Sequence, residues 1–113
     1  MLDKVYEVSM LYDFYGQLLT LKQRNVLDLY YNNDYSLGEI SDILSISRQG
    51  VYDTLKRSEK SLHGYEDKLH LVQKFQENKK KLKEVYSLLC NIKQSEYTDK
   101  MKSILIDILE NSI

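Results

Sequence analysis

The sequence has no proline and no tryptophan, only four glycines and a single cysteine in 113 residues. With proline absent and glycine sparse, few positions interrupt a helix. The lone Cys90 excludes an intramolecular disulfide, and with it the small stapled scaffolds of secreted proteins. No run of about 18 apolar residues is present, which excludes a membrane-spanning helix. β-branched residues are not gathered into alternating runs, so strands are not expected. The opening MLDKVYEVSMLYDFYG has acids inside its apolar pattern and lacks a basic leader with a small-residue cleavage site, so a cytoplasmic location is expected. An excess of positive charge is missing too: sixteen basic against seventeen acidic residues give a formal charge of −1 and a pI near 6.1. Contact with nucleic acid therefore needs a local patch. What is present, 42% hydrophobic and 29% charged residues with no low-complexity stretch, suits one all-α domain over residues 1–113.

Periodicity and caps divide the chain into about six helices. Residues 2–15 carry one apolar stripe at Val5, Val8, Leu11, Tyr12 and Tyr15 and another at Tyr6, Met10 and Phe14. A helix apolar on more than one side lies between other helices or in a subunit contact, here a homodimer through the N-terminal helix. Gly16 ends it. Thr20 with Gln23 forms a capping-box pattern opening a helix over 21–31, and Ser36 with Glu39 forms another opening a helix over 37–44. Ser47 can cap a fourth, with Ile46 and Val51 at its staple positions. Apolar positions then continue from Leu55 through Leu62, Tyr65, Leu69, Val72 and Phe75 to Leu82, Tyr86 and Leu89. Gly64 after His63, followed by Glu66 and Asp67, predicts a break at 63–65. The fifth helix then runs to about 92. Thr98 with Asp99 is expected to open the last helix, with Met101, Ile104, Leu105, Ile108 and Leu109 on its inner face. This organisation gives a core over 20–62 and a C-terminal helical extension over 65–113.

Residues 36–57, SLGEISDILSISRQGVYDTLKR, meet the needs of a helix-turn-helix: two short helices, a tight turn, apolar contact points and a small residue at close approach. Ile40, Leu44, Ile46, Val51 and Leu55 supply the contacts, and Ser41 the small residue. With the preceding TLKQRNVLDLYY, the order and spacing resemble the helix-turn-helix of region 4 of bacterial sigma-70-type factors. Ser45 stands where glycine is common, at a cost of roughly 1 kcal/mol if left-handed. Ser47, Arg48, Gln49, Tyr52, Asp53 and Lys56 are expected to face outward. Arg48 and Gln49 suit base edges, and Lys56 and Arg57 suit phosphates. Asp53 opposes them. Arg48, Lys56, Arg57 and Lys60 against Asp53 and Glu59 leave a local charge of +2, a weak patch for a monomer on a duplex.

The Tyr-rich opening, YDFYGQLLTLKQRNVLDLYY and SLGEISDILSISRQGVYDTLKRSEKSLHGYEDKLHL together resemble the YlxM family of helix-turn-helix proteins over about the first 92 residues. The genes of that family tend to lie beside those of the signal recognition particle GTPase and its receptor. The resemblance implies an accessory or regulatory role in that targeting pathway, with the particle's RNA, its GTPase or the receptor as partner. The segment after about Asn91 departs from the resemblance.

A second basic segment holds Lys79, Lys80, Lys81 and Lys83, followed by Lys93, Lys100 and Lys102. Against Glu84, Glu96 and Asp99 the net over 78–102 is +4, enough to meet the backbone of a structured RNA, although lysine runs are more often solvated helix faces. Most tyrosines fall at helical spacing with aliphatic residues and suit packing; Tyr52 is the exception. His63 and His70 lie seven apart, but no cysteine or acid completes a tetrahedral set at ordinary ligand spacing. Cys90, beside Leu89, is expected to be a small buried hydrophobe. No phosphate-binding glycine loop, nucleophile elbow or paired carboxylates can be read, so neither catalysis nor a cofactor is expected. A sequence-specific DNA-binding regulator using residues 47–57 is the alternative function, and a protein interaction module is the third.

Overall fold

The structure, a computed structural model, describes residues 2–111. Among these the regular elements are all helical: α1 (Leu2–Tyr15), α2 (Leu21–Leu27), α3 (Leu37–Leu44), α4 (Arg48–Leu69), α5 (Leu71–Cys90) and α6 (Glu96–Glu110). None is long and apolar enough to cross a membrane. The chain forms two compact units, residues 1–72 and 73–113.

The first unit holds the core. Val8, Leu11 and Tyr15 from α1, Val26 and Leu27 from α2, Ile40 from α3, Val51, Leu55 and Leu62 from α4, and Val72 pack into one buried cluster. In α1 and α4 the contributing residues are three, four or seven apart, so one face of each turns inward. Both expected capping boxes form. The Gln23 amide donates to Thr20 Oγ1 at 3.2 Å while Gln23 Oε1 accepts from the Thr20 amide at 3.0 Å, and Ser36 and Glu39 repeat the exchange at 3.1 and 3.0 Å. The bond from the Ser36 amide, and then the Ser36 hydroxyl, also hold the Glu39 carboxyl below its ordinary pKa.

Beyond Leu27 the expected second helix widens into a π-helical turn, Asp28–Asn32. The Asn33 amide reaches back five residues to the Asp28 carbonyl at 3.1 Å, and the Tyr35 amide six residues to Leu29 at 3.0 Å. Asp28 anchors the widening, because Oδ1 accepts from Asn32 Nδ2 at 2.8 Å and Oδ2 from the Tyr12 hydroxyl at 3.3 Å. The local period of the sequence is helical throughout, and a side chain arriving from α1 is what accompanies the wider turn.

The expected break at 63–65 does not occur. α4 runs unbroken through Gly64, and a Cβ there would meet nothing within 4 Å. The helix ends instead at His70, left-handed at φ 56°, ψ 29°. The reason is a partly buried polar joint. Tyr15 Oη donates to Glu66 Oε1 at 2.5 Å and accepts from the Leu71 amide at 3.1 Å, while the same Glu66 oxygen accepts from the Val72 amide at 3.0 Å. The two amides that open α5 have no partner within their helix, and these two side chains supply one. Glu66, read as a first-turn acid of a helix starting just before it, serves a helix starting five residues later.

In the second unit α6 opens at Ser95 rather than at Thr98. Ser95 Oγ accepts from the Thr98 amide at 3.2 Å, and Thr98 Oγ1 accepts from the Ser95 amide at 2.8 Å. Of the inner face expected for α6, Leu105 is buried and Leu109 half-buried, whereas Met101, Ile104 and Ile108 are exposed. Cys90 is exposed, correcting its expected burial: it lies one residue past the buried Leu89, a rotation of about 100° that carries it off the packed face.

Candidate nucleic-acid interface

Three serines build the turn between α3 and α4. Ser45 ends α3 at φ 56°, ψ 41°, the left-handed conformation that glycine adopts more cheaply. Ser41 does more than permit close approach: its hydroxyl donates to the Ile46 carbonyl at 2.6 Å, and its own carbonyl accepts from the Ile46 amide at 3.3 Å. Ser47 then caps α4, accepting from the Gly50 amide at 3.0 Å. With Ile40, Val51 and Leu55 buried beneath, the first turns of α4 are held by packing on one side and presented on the other.

Ser47, Arg48, Gln49, Tyr52, Asp53, Lys56 and Arg57 are all exposed. Arg48, Gln49 and Tyr52, together with Leu37, line a shallow hollow of about 360 Å³. Gln49 and Lys56 are already engaged. Gln49 Nε2 donates to Asp53 Oδ1 at 2.9 Å, so a base edge must displace Asp53. Lys56 Nζ lies 5.5 Å from the centroid of the Tyr52 ring and 3.6 Å from Glu59 Oε2. The Glu59 charge keeps the Lys56 ammonium above its ordinary pKa.

Glu59, by sequence one of the charges of the α4 patch, is 7% exposed. It also accepts a short hydrogen bond from the Tyr31 hydroxyl and lies 3.9 Å from Lys4 Nζ. Burial, and then this bond to Glu59, push the Tyr31 phenol well above its ordinary range. The signal was present: Glu59 falls four residues after Leu55 and three before Leu62, on the inward stripe of α4. Its charge thus ties α1, the π-helical turn and α4 together beneath the exposed face.

The lysine segment lies on α5, in the second unit. Lys80, Lys81 and Lys83 are exposed, while Lys79 is half-buried with Nζ 5.7 Å from the Phe75 ring centroid. At about 100° per residue, Lys79 and Lys83 share one side, and Lys80 and Lys81 point progressively around the helix. Consecutive in sequence, these cations spread over more than half of the circumference and do not form a one-sided patch.

A capped, three-helix arrangement closing on an exposed fourth helix defines a helix-turn-helix protein. Residues 2–105 match the YlxM/p13-like helix-turn-helix family, UPF0122, and the chain belongs to that family. A UPF0122 protein of Oceanobacillus iheyensis is 46% identical over 104 residues, covering 92% of this chain and 99% of the relative. One of Thermoanaerobacter sp. strain X514 is 50% identical over 106 residues, 94% of this chain and 91% of the relative. A third, of Caldanaerobacter subterraneus subsp. tengcongensis, is 61% identical over 83 residues, 74% and 71% of the two chains. The family match extends past Asn91, where the resemblance seen in the sequence stopped, and takes in most of α6.

Proposed function

We propose that this protein is a non-enzymatic accessory protein of the signal recognition particle pathway, binding nucleic acid through the first two turns of α4. One observation carries the binding half of this reading: Arg48, Gln49 and Tyr52 line an open hollow on a helix whose opposite face is fixed in the core. Arginine and glutamine there suit base edges or phosphates, and a tyrosine ring half exposed beside them suits stacking on an unpaired base. The pathway is supported by membership in the YlxM-like family, whose genes lie near those of the particle's GTPase and receptor. The exposed Lys80, Lys81 and Lys83 favour RNA backbone as a further contact.

A salt-series titration against the particle's RNA, an unrelated RNA and pooled duplex DNA tests the proposal. RNA-preferring binding is expected, and Arg48→Ala with Gln49→Ala should remove the preference. Changing Lys79, Lys80, Lys81 and Lys83 to glutamine should flatten the salt slope by about one for each phosphate no longer neutralised. Preference for duplex DNA would favour the transcriptional alternative on the same helix. Binding to none of the three would overturn the nucleic-acid reading and leave a protein partner.

A further inference from the structure

A second hollow in the first unit shares no residue with the one at Arg48. Val5, Tyr30, Tyr31, Asp34 and Tyr35 line a space of about 290 Å³, near the lower end of the range that ligand sites span. Tyr30 and Tyr31 pack against the core cluster and border this space as well. Their rings meet at 82° with centroids 5.0 Å apart, so two aromatic walls stand nearly at a right angle. The Tyr31 wall is fixed by its hydroxyl, which donates to Glu59. Tyr35, three residues beyond the π-helical turn, adds a third ring, 37% exposed. Between these rings in sequence stands an unengaged charge: the exposed Asp34 carboxylate has no hydrogen bond or ion pair among the described residues. Asp34 is left-handed at φ 56°, a conformation that glycine takes more cheaply and without adding a charge. The ammonium of Lys4 does not cancel that charge, because it lies 3.9 Å from Glu59 Oε2.

We propose that this hollow binds a guanidinium group, with the tyrosine rings as its walls and Asp34 as its counter-ion. A cation is attracted to an aromatic ring within about 6 Å of the centroid. With the Tyr30 and Tyr31 centroids 5.0 Å apart, one cation can lie within that range of both. Guanidinium uses the lining more fully than other cations: its plane stacks on a ring while its fork of donors meets a carboxylate with two parallel hydrogen bonds. A primary ammonium lacks the flat face and holds its water more tightly. A quaternary ammonium has no donor to offer Asp34. Phosphate is repelled by the same carboxylate, so this hollow and the Arg48 face select ligands of opposite charge. The assignment does not depend on what α4 binds.

Titrating the full chain with N-acetyl-arginine amide, while proton NMR follows the rings of Tyr30, Tyr31 and Tyr35, tests the assignment. Saturable shifts with a dissociation constant on the order of 10 mM are expected for so small a probe. N-acetyl-citrulline amide, of the same shape and uncharged, should bind at least tenfold more weakly, and tetramethylammonium more weakly than the arginine probe. Asp34→Asn should weaken the arginine probe about fivefold with the thermal midpoint unchanged, because asparagine also accepts a left-handed backbone. Tyr35→Leu, which keeps an apolar wall and removes the ring, should weaken it about threefold. Free arginine, titrated alongside, separates the two sources of this group: tighter binding of the amide assigns a polypeptide side chain, and tighter binding of free arginine assigns the amino acid. Ring protons that do not move at about five times the expected constant overturn the proposal. So does a citrulline probe that binds equally well, a preference for tetramethylammonium, or arginine binding indifferent to Asp34→Asn.

Discussion

Tyr15 holds its ring among the core side chains and spends its hydroxyl on two partners, Glu66 and the Leu71 amide. Tyr15→Phe keeps the packing and removes both bonds from a partly buried joint, so it should lower stability by about 1 kcal/mol, read from urea unfolding. Tyr12, Tyr15 and Tyr31 also share a dependence on pH. Burial is the largest cause in each of a phenol pKa held above its ordinary 10.0, reinforced at Tyr15 by Glu66 and at Tyr31 by Glu59. A raised folded-state pKa means the fold prefers the neutral phenol. The corresponding stability is complete below pH 10 and is lost as pH rises above it, when the unfolded chain releases protons that the folded chain retains. The free energy of unfolding read from urea titrations should therefore fall from about pH 10 upward. Tyr31→Phe should make that decline shallower.

Gly64 tests the longest helix. It occupies an open position inside α4, so Gly64→Ala should stabilise the protein by about 0.5–1 kcal/mol; were residue 64 a left-handed helix end, the same change would destabilise it. Ser45→Gly should also stabilise, by up to about 1 kcal/mol, because Ser45 is left-handed. Both are measurable by thermal melting. The elements legible in the sequence are those whose signals are local. Thr20 with Gln23, Ser36 with Glu39, and Ser47 each cap a helix by accepting from the amide three residues on, and each forms as read. The ends that escaped are set from a distance: α4 stops at His70 because Tyr15 and Glu66 satisfy the amides beyond it, and the π-helical turn centres on an aspartate met by Tyr12. At α6 the cap was local but ambiguous, since Ser95 and Thr98 both look like caps and bond to each other. Glu59 was legible by position and concealed by its charge.

At the scale of the molecule, packing is uneven. The core lies in residues 8–72, and α6 contributes only Thr98 and Leu105 to the buried set. Hydrogen exchange should therefore be slowest along α4 between Val51 and Leu62 and faster by orders of magnitude in α6, whose amides need only local opening. Peptide-level exchange on the full chain measures this. The candidate interface was legible as a motif, because caps and apolar contacts fix the helix-turn-helix. Its ties were not, since neither Gln49 with Asp53 nor Lys56 with Glu59 follows from the motif. The joint at His70 bears on how the chain acquires its shape in time. Tyr15 emerges from the ribosome 56 residues before the Leu71 amide it meets, and a contact spanning that separation closes late. Until it closes, α4 is a helix without a fixed end, and its boundary with α5 is written by the opposite terminus of the domain.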